Sequence, residues 1–470
     1  MNLTIRQIAE ATGGRFHYMG PEEDRCKDAF LNMQVDSVVL DSRQVTKGGV
    51  FVATLGERVD GHTFVTSVFE KGAALAIVQR EPQENEHWSN YILVEDTLLA
   101  LKRIAECYRE SLQIPIIGIT GSVGKTSTKE FIAGVLSEKY NVLKTQGNYN
   151  NEIGVPLTLL RIRPEHEAAV VEMGISDFGE MHRLSRMAKP DIAVITNIGQ
   201  CHLENLKDRD GVLRAKTEIF DFMPSDGKVC LNGDDDKLQT VTAAGGREIW
   251  FFGRKCKAPD AVYATDVSSR GLWGSEATLH NVAGESYEVE VPLPGAHMVL
   301  NATAAACVAE QLGLTPAEIR AGLKKVATIA GRNHLIRTER FTLIDDCYNA
   351  NPVSMKAGID LLCMADTATV AILGDMFELG ENSDGMHAEV GAYAAEKGVG
   401  YILCVGENSR HMYEAAIKKG TGSKVLYFGT REALLSALQE DRDRLFPEGS
   451  TILIKASHGM QFSEVVELLK

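Results

Sequence analysis

A lysine and a hydroxyl at the mouth of a glycine-rich turn, Gly121-Ser122-Val123-Gly124-Lys125-Thr126-Ser127, are the residues of this chain best suited to hold a polyphosphate. Glycines let successive backbone N–H groups turn toward an anion with no Cβ in the way. A helix opening at Lys125 would add partial positive charge, Lys125 itself a full one, and the Thr126 hydroxyl a ligand for Mg²⁺. The usual phosphate-loop template has a glycine five residues before the Gly-Lys pair. Here Ile119 stands there, and Gly118 comes one residue earlier. The core of the motif is intact and implies binding of a nucleoside triphosphate; the alternative is a plain glycine turn between a strand and a helix.

Other groups fall where such a ligand would need them. Glu172 ends the apolar run 168–171, where phosphoryl-transfer enzymes put the carboxylate that shares Mg²⁺ with the loop hydroxyl. His202 follows the next such run and Lys216 lies in a helical pattern. Read singly, His202 is more often a packed or surface residue than a ligand, and Lys216 a charge on a helix face. Asn148, Asn150 and Asn151 form an amide-rich loop that could grip a sugar or a peptide, or could be turn residues. Asn349 and Asn351, after Asp345-Asp346, pose the same choice. So does Asp41-Ser42-Arg43, which a hairpin loop would explain as well.

The elements that must position these groups alternate as in an α/β protein. Residues 114–117 read as the strand feeding the turn, and 142–143, 168–171 and 191–195 as further buried strands of one parallel sheet. Short strands with Gly and Asn turns occupy 228–292. Before this block, helical spacing at Ile5, Ile8 and Ala9, strands at 38–40, 50–53, 74–78 and 91–94, and a helix over 98–108 suggest a smaller α/β domain. After it the alternation restarts, with strands at 341–344, 370–373, 401–405 and 451–454. Asp345, Asp346, Asp375 and the turn 455–459 lie at strand ends, where open α/β sheets bind ligands. The expected division is 1–112, 113–330 and 331–470.

Length and charge agree. About three domains are expected for 470 residues. A net charge of −15 argues against a nucleic-acid partner. Nine scattered cysteines, none in a Cys-x-x-Cys pair, fit reduced thiols in a cytoplasm better than disulfides or a zinc site. No apolar run is long enough to span a bilayer.

The combination of Gly118–Ser127, Asn148–Leu160, Glu172-Met173-Gly174, Thr196–Gly199 with His202, Ala215-Lys216 and Asn301-Ala302 resembles the Mur ligases of peptidoglycan synthesis. Within that family, 345–352 and 374–380 are similar to the members that add D-alanyl-D-alanine to UDP-N-acetylmuramoyl-tripeptide. The resemblance implies ATP-dependent amide-bond formation through an acyl phosphate. It also implies a UDP-binding N-terminal domain, a central P-loop ATPase domain and a Rossmann-like C-terminal domain, acting as a monomer in the cytoplasm. Carried over, Gly121 to Ser127 hold ATP, with Asn301, Arg332, Asp346 and Tyr348 as further ATP contacts. Thr126 and Glu172 hold one Mg²⁺; His202 and a carbamylated Lys216 hold a second. Asp41, Ser42 and Arg43 belong to the nucleotide-sugar site, and Asn148, Asn150, Asn151 and Asn351 to the peptide site.

Two departures stand out. The family's usual Gly-Ser-Arg-Gly reads Ala456-Ser457-His458-Gly459, so position 458 lacks a fixed positive charge. Arg58-Val59 replaces a more usual aromatic neighbour before Asp60-Gly61-His62. The rival readings are a sibling ligase adding the third amino acid, a folylpolyglutamate synthetase and a nucleotide switch that binds without turnover. The first two normally carry histidine where Asn349 stands, and the third needs no second α/β domain with acidic strand ends.

Overall fold

The computed structural model describes the chain except residues 22, 57–58, 200, 257–260, 328–330, 332–333 and 378. Three sheets carry it. The first has five strands in the order Arg15–His17, Tyr91–Leu93, Leu75–Val78, Val50–Val52, Val38–Val39, parallel except for the first pairing. Its opening helix, Ile5–Thr12, is fixed at both ends. Thr4 and Gln7 form a capping box, and Gly13 closes the helix in the left-handed region.

The second sheet has nine strands, and Ile116–Thr120 lies between Ala168–Glu172 and Ile192–Ile195, parallel to both. All residues of these three strands are buried. That is why they read as unbroken apolar runs and not as alternating ones. The third sheet has six strands in the order His334–Arg337, Thr342–Asp345, Thr451–Lys455, Thr369–Gly374, Tyr401–Val405, Lys424–Phe428, all parallel but the first.

By contact the chain forms two compact units. One is Met1–Asp266 with Ala277–Val289 and Val299–Lys324; the other is Val267–Glu276, Glu290–Met298 and Lys325–Lys470. The five-stranded sheet and the body of the nine-stranded sheet share the first unit, and a buried arginine shows how. Arg109, at the end of the helix Thr97–Glu110, donates to the carbonyls of Ala188 (2.7 Å) and Lys189 (2.9 Å). It also pairs with Asp191 at 3.0 Å, whose carboxylate accepts from Ile116 N–H at 2.8 Å. Tyr108 adds a buried hydrogen bond to the Ile162 carbonyl at 2.7 Å, and Lys102 pairs with Glu152 at 2.5 Å. The segment entering the P-loop strand is therefore clamped from both sides.

Glu310, near the end of the helix Ala296–Gln311, has a buried carboxylate oxygen with no partner among the described residues. Burial, with Glu285 adding to it, pushes its carboxyl up to about 7. A carboxyl raised in the folded state favours folding at low pH, and that advantage disappears as pH rises from the unfolded value through 7. Glu310→Gln is accordingly expected to stabilise the protein by about 1–3 kcal/mol at pH 8 and to change little at pH 4. Denaturant titrations at the two pH values check this; an equal effect at both would contradict it.

Candidate active site

The strand Ile116–Thr120 delivers the chain into the glycine turn, and the helix Lys125–Leu136 leaves it. Gly124 sits at φ +86°, which a side chain would resist. At Gly121, itself at φ +149°, space is a further constraint, since a Cβ there would lie 1.9 Å from Thr196 Oγ1. That close neighbour belongs to a brace behind the loop. Thr196 Oγ1 and Asn197 Nδ2 donate to the Val123 carbonyl at 2.7 and 3.0 Å. Val123 N–H donates to Asn197 Oδ1 at 2.9 Å, and Gly199 N–H to Ser122 Oγ at 2.9 Å. The 196–199 motif thus holds the loop in shape.

Two lysines converge on one oxygen. Lys125 Nζ and Lys216 Nζ both donate to the Gly121 carbonyl, at 2.9 and 3.1 Å. Lys216 is fully buried, and its amine is brought down to about 8, first by burial and then by Lys125. His202, in the left-handed region at φ +51°, is held below the usual imidazole value by burial, then by Lys216 and Lys125. Burial and the two lysines favour the uncharged ring, which keeps a lone pair for a ligand. Two lysine amines thus meet at the Gly121 turn, a concentration of positive charge that an anion would offset.

Glu172 supplies the opposite sign. It is buried at the end of its strand, and its Oε1 accepts from Thr126 Oγ1 (3.2 Å) and Asn150 Nδ2 (2.9 Å). Its Oε2 is buried and has no hydrogen-bond partner among the described residues. A buried carboxylate oxygen left so is costly unless a cation meets it. With the neighbouring Thr126 hydroxyl it makes an oxygen set suited to Mg²⁺. The structure therefore brings together Lys125 with Lys216, and Thr126 with Glu172 and Asn150. Among the described residues no group of three or more His, Cys, Asp or Glu side chains stands ready to hold a metal.

Asn301 lies beside the start of the P-loop helix, where Thr128 Oγ1 donates to its Oδ1 at 3.1 Å. In the amide-rich loop, Asn151 Oδ1 accepts from the N–H groups of Ile153 and Gly154 and holds the turn that leads into the following helix, while Asn148 is exposed. In the first sheet's loops, Arg43 donates to both Asp41 oxygens at 2.7–3.1 Å and holds that carboxyl down to about 2. The Ser42 carbonyl accepts from Lys71 at 2.9 Å. His62 is buried, receiving Gln79 N–H on Nε2 and facing Asp60 through Nδ1, so Asp60-Gly61-His62 is a folded turn.

In the second unit Asp346 is buried against Lys455, which donates to its Oδ2 at 2.5 Å and to the Asn349 carbonyl at 3.0 Å. Asn351 caps the helix Pro352–Leu362 with a capping box to Ser354. The rings of Tyr348 and His458 are 5.9 Å apart. Arg332 and Arg58 lie outside the described residues, as does Glu378 of the 374–380 motif.

Family models match along this whole arrangement: the Mur ligase family catalytic domain over residues 34–109, the Mur ligase middle domain over 119–309, and the Mur ligase glutamate ligase domain over 331–458. The chain belongs to the Mur ligase family. It is 36% identical to the UDP-N-acetylmuramoyl-tripeptide–D-alanyl-D-alanine ligase of Bacillus subtilis (strain 168), over 99% of this chain and 97% of that protein. A crystal structure of MurF from Acinetobacter baumannii superposes with a TM-score of 0.88 at 34% identity, covering 99% of both chains. The MurF ligase from Thermotoga maritima, in complex with ADP, gives 0.74 at 27% identity, over 93% of this chain and 98% of that one.

The sequence did not single out two residues of this Mur ligase site. Lys129 is fully buried one helical turn beyond Lys125, 3.9 Å from Glu172 Oε2. Thr145 Oγ1 accepts from Glu172 N–H at 2.9 Å. The available signal was the i, i+4 spacing of Lys125 and Lys129, which puts both on one face of a helix.

Proposed function

We propose that the chain joins D-alanyl-D-alanine to the terminal carboxylate of UDP-N-acetylmuramoyl-tripeptide at the expense of ATP, a step of cytoplasmic peptidoglycan precursor synthesis. What carries this reading is the braced phosphate loop with two lysines on one carbonyl, in a chain 36% identical to a ligase of that name over 99% of its length. A carboxylate is a poor acyl donor until one of its oxygens becomes a leaving group. The tripeptide carboxylate attacks the γ-phosphorus, the bond to ADP breaks, and an acyl phosphate forms. The neutral amine of D-alanyl-D-alanine then attacks the acyl carbon, and the tetrahedral intermediate collapses with loss of phosphate and a proton.

In this reading Lys125 and the N–H groups of 121–127 grip the β- and γ-phosphates, offsetting the charge that spreads over them during transfer. Thr126 and Glu172 are the ligands of one Mg²⁺, and His202 with Lys216 those of a second. The ions neutralise phosphate charge when bound. Lys216 serves as a carbamate: the neutral amine adds to CO₂ with loss of a proton, turning a buried cation into an oxygen-bearing anion suited to a hard metal. Asn301 meets the adenine, and Arg332, Asp346 and Tyr348 also serve ATP. Asp41, Ser42 and Arg43 serve the nucleotide sugar, and Asn148, Asn150, Asn151 and Asn351 the peptide. The domains run 1–112, 113–330 and 331–470.

Phosphate release is the test. It is expected with ATP, UDP-tripeptide and D-alanyl-D-alanine together, and not when D-alanine or an L-amino acid replaces the dipeptide. Equal release with an L-amino acid and a UDP-dipeptide would move the chain to the sibling that adds the third residue. Binding of ATP with no dependence of turnover on either substrate would make it a switch.

A further inference from the structure

Lys129 is a lysine that the mechanism above does not use, yet it is among the most completely buried large side chains of the protein. A buried ammonium is costly unless it is paired and hydrogen-bonded. Its Nζ donates to the Thr145 carbonyl at 2.8 Å and lies 3.2 Å from Glu130 Oε1. Toward Glu172 Oε2 the separation is 3.9 Å, within an ion pair's range and beyond a hydrogen bond's. Thr145 joins the two, since its carbonyl takes Lys129 and its hydroxyl takes the N–H of Glu172. Glu130 has a second cation, Lys144, whereas Glu172 Oε2 faces no other lysine or arginine within ion-pair range among the described residues.

We propose that Lys129 is a positioning residue, the built-in counter-cation of Glu172. It faces the buried carboxylate before any metal arrives, and its distance leaves the lone pairs of Oε2 open for a ligand that then binds against its charge. The Asn150 amide and the Thr126 hydroxyl occupy the other oxygen, so the carboxylate is held at one end and free at the other. The pairing stands on geometry alone; its bearing on metal binding rests on the assignment of Glu172 as a Mg²⁺ ligand.

Two measurements on the full-length, nucleotide-free protein separate these parts. The first is thermal stability of Lys129→Met, Glu172→Gln, Glu130→Gln and the double variants. Lys129→Met is expected to lower Tm by about 5 °C or more, with most of the loss recovered in K129M/E172Q and not in K129M/E130Q. If Lys129→Met does not fold, folding of K129M/E172Q carries the same information. A double variant no better than Lys129→Met, or equal recovery by Glu130→Gln, would overturn the pairing. The second is binding of Mn²⁺ alone. Removing a positive charge beside Glu172 is expected to tighten it about tenfold in Lys129→Met, while Lys129→Arg stays near the wild type. Unchanged or weaker binding in Lys129→Met would refute the proposed bearing on the metal. Mn²⁺ bound by Glu172→Gln as by the wild type would instead overturn Glu172 as a ligand, leaving the pairing to the stability data.

Discussion

Lys125→Ala is expected to lower kcat about 10²- to 10³-fold or more while leaving the protein folded. Phosphoryl transfer asks the protein mainly for position and charge, and each well-placed donor accounts for a factor of that size. The fold is expected to survive because Lys125 and Lys216 compete for one carbonyl oxygen and repel each other. Losing one of them relieves that repulsion. Steady-state phosphate release beside a thermal melt checks both halves. Turnover within a few-fold of the wild type would remove the phosphate loop from the mechanism, and a large fall in Tm would make Lys125 structural.

Lys216→Ala is the second large effect, a loss on the order of 10²-fold or more. An unmodified ammonium beside a magnesium ion would repel it, whereas a carbamate would hold it. Acetate is small enough to enter the space that alanine leaves and is expected to restore part of the activity. Lys216→Arg is expected not to respond, because the guanidinium fills the space and keeps the wrong charge. The carbamate has its own readout. Wild-type protein equilibrated with ¹³C-bicarbonate should show a carbamate carbon by NMR that Lys216→Ala lacks. Full activity of Lys216→Ala without added acid would return Lys216 to being a packing residue, and an absent carbamate signal would exclude the modification.

The parts of this site legible in the sequence were those in which a residue type is tied to a local shape. The phosphate loop could be read because its glycines answer to backbone geometry, as Gly121 against Thr196 Oγ1 shows. Glu172 could be read because a buried strand ending in an acid leaves few explanations. Lys216 was ambiguous for a physical reason: from the sequence a lysine in the helix Arg209–Thr217 is indistinguishable from a solvated one, and only tertiary packing buries it against Gly121. Lys129 escaped notice for the same reason. Among the elements, the antiparallel edge strands Arg15–His17 and His334–Arg337 were not anticipated, being short and at most half buried. The helix Glu180–Ala188, polar on its outer face, was also missed. Asn151 and Asn351 carried a double meaning that sequence could not separate; in the structure Asn151 holds the turn before a helix and Asn351 caps one.

The clamp formed by Arg109, Asp191 and the backbone of 188–189 ties the helix Thr97–Glu110 to the strand that enters the phosphate loop. The five-stranded sheet and the body of the nine-stranded sheet belong to one compact unit, which holds both the Asp41–Arg43 loop and the phosphate loop. With the nucleotide sugar held at the Asp41–Arg43 loop, as proposed above, a linked peptide would reach the γ-phosphate only if its stem had the right number of residues. Each residue removed withdraws the carboxylate by up to about 3.5 Å, more than the tolerance of a reacting pair of atoms. On that proposal chain length would be measured by the span between the two loops, without any side chain having to recognise the missing residue.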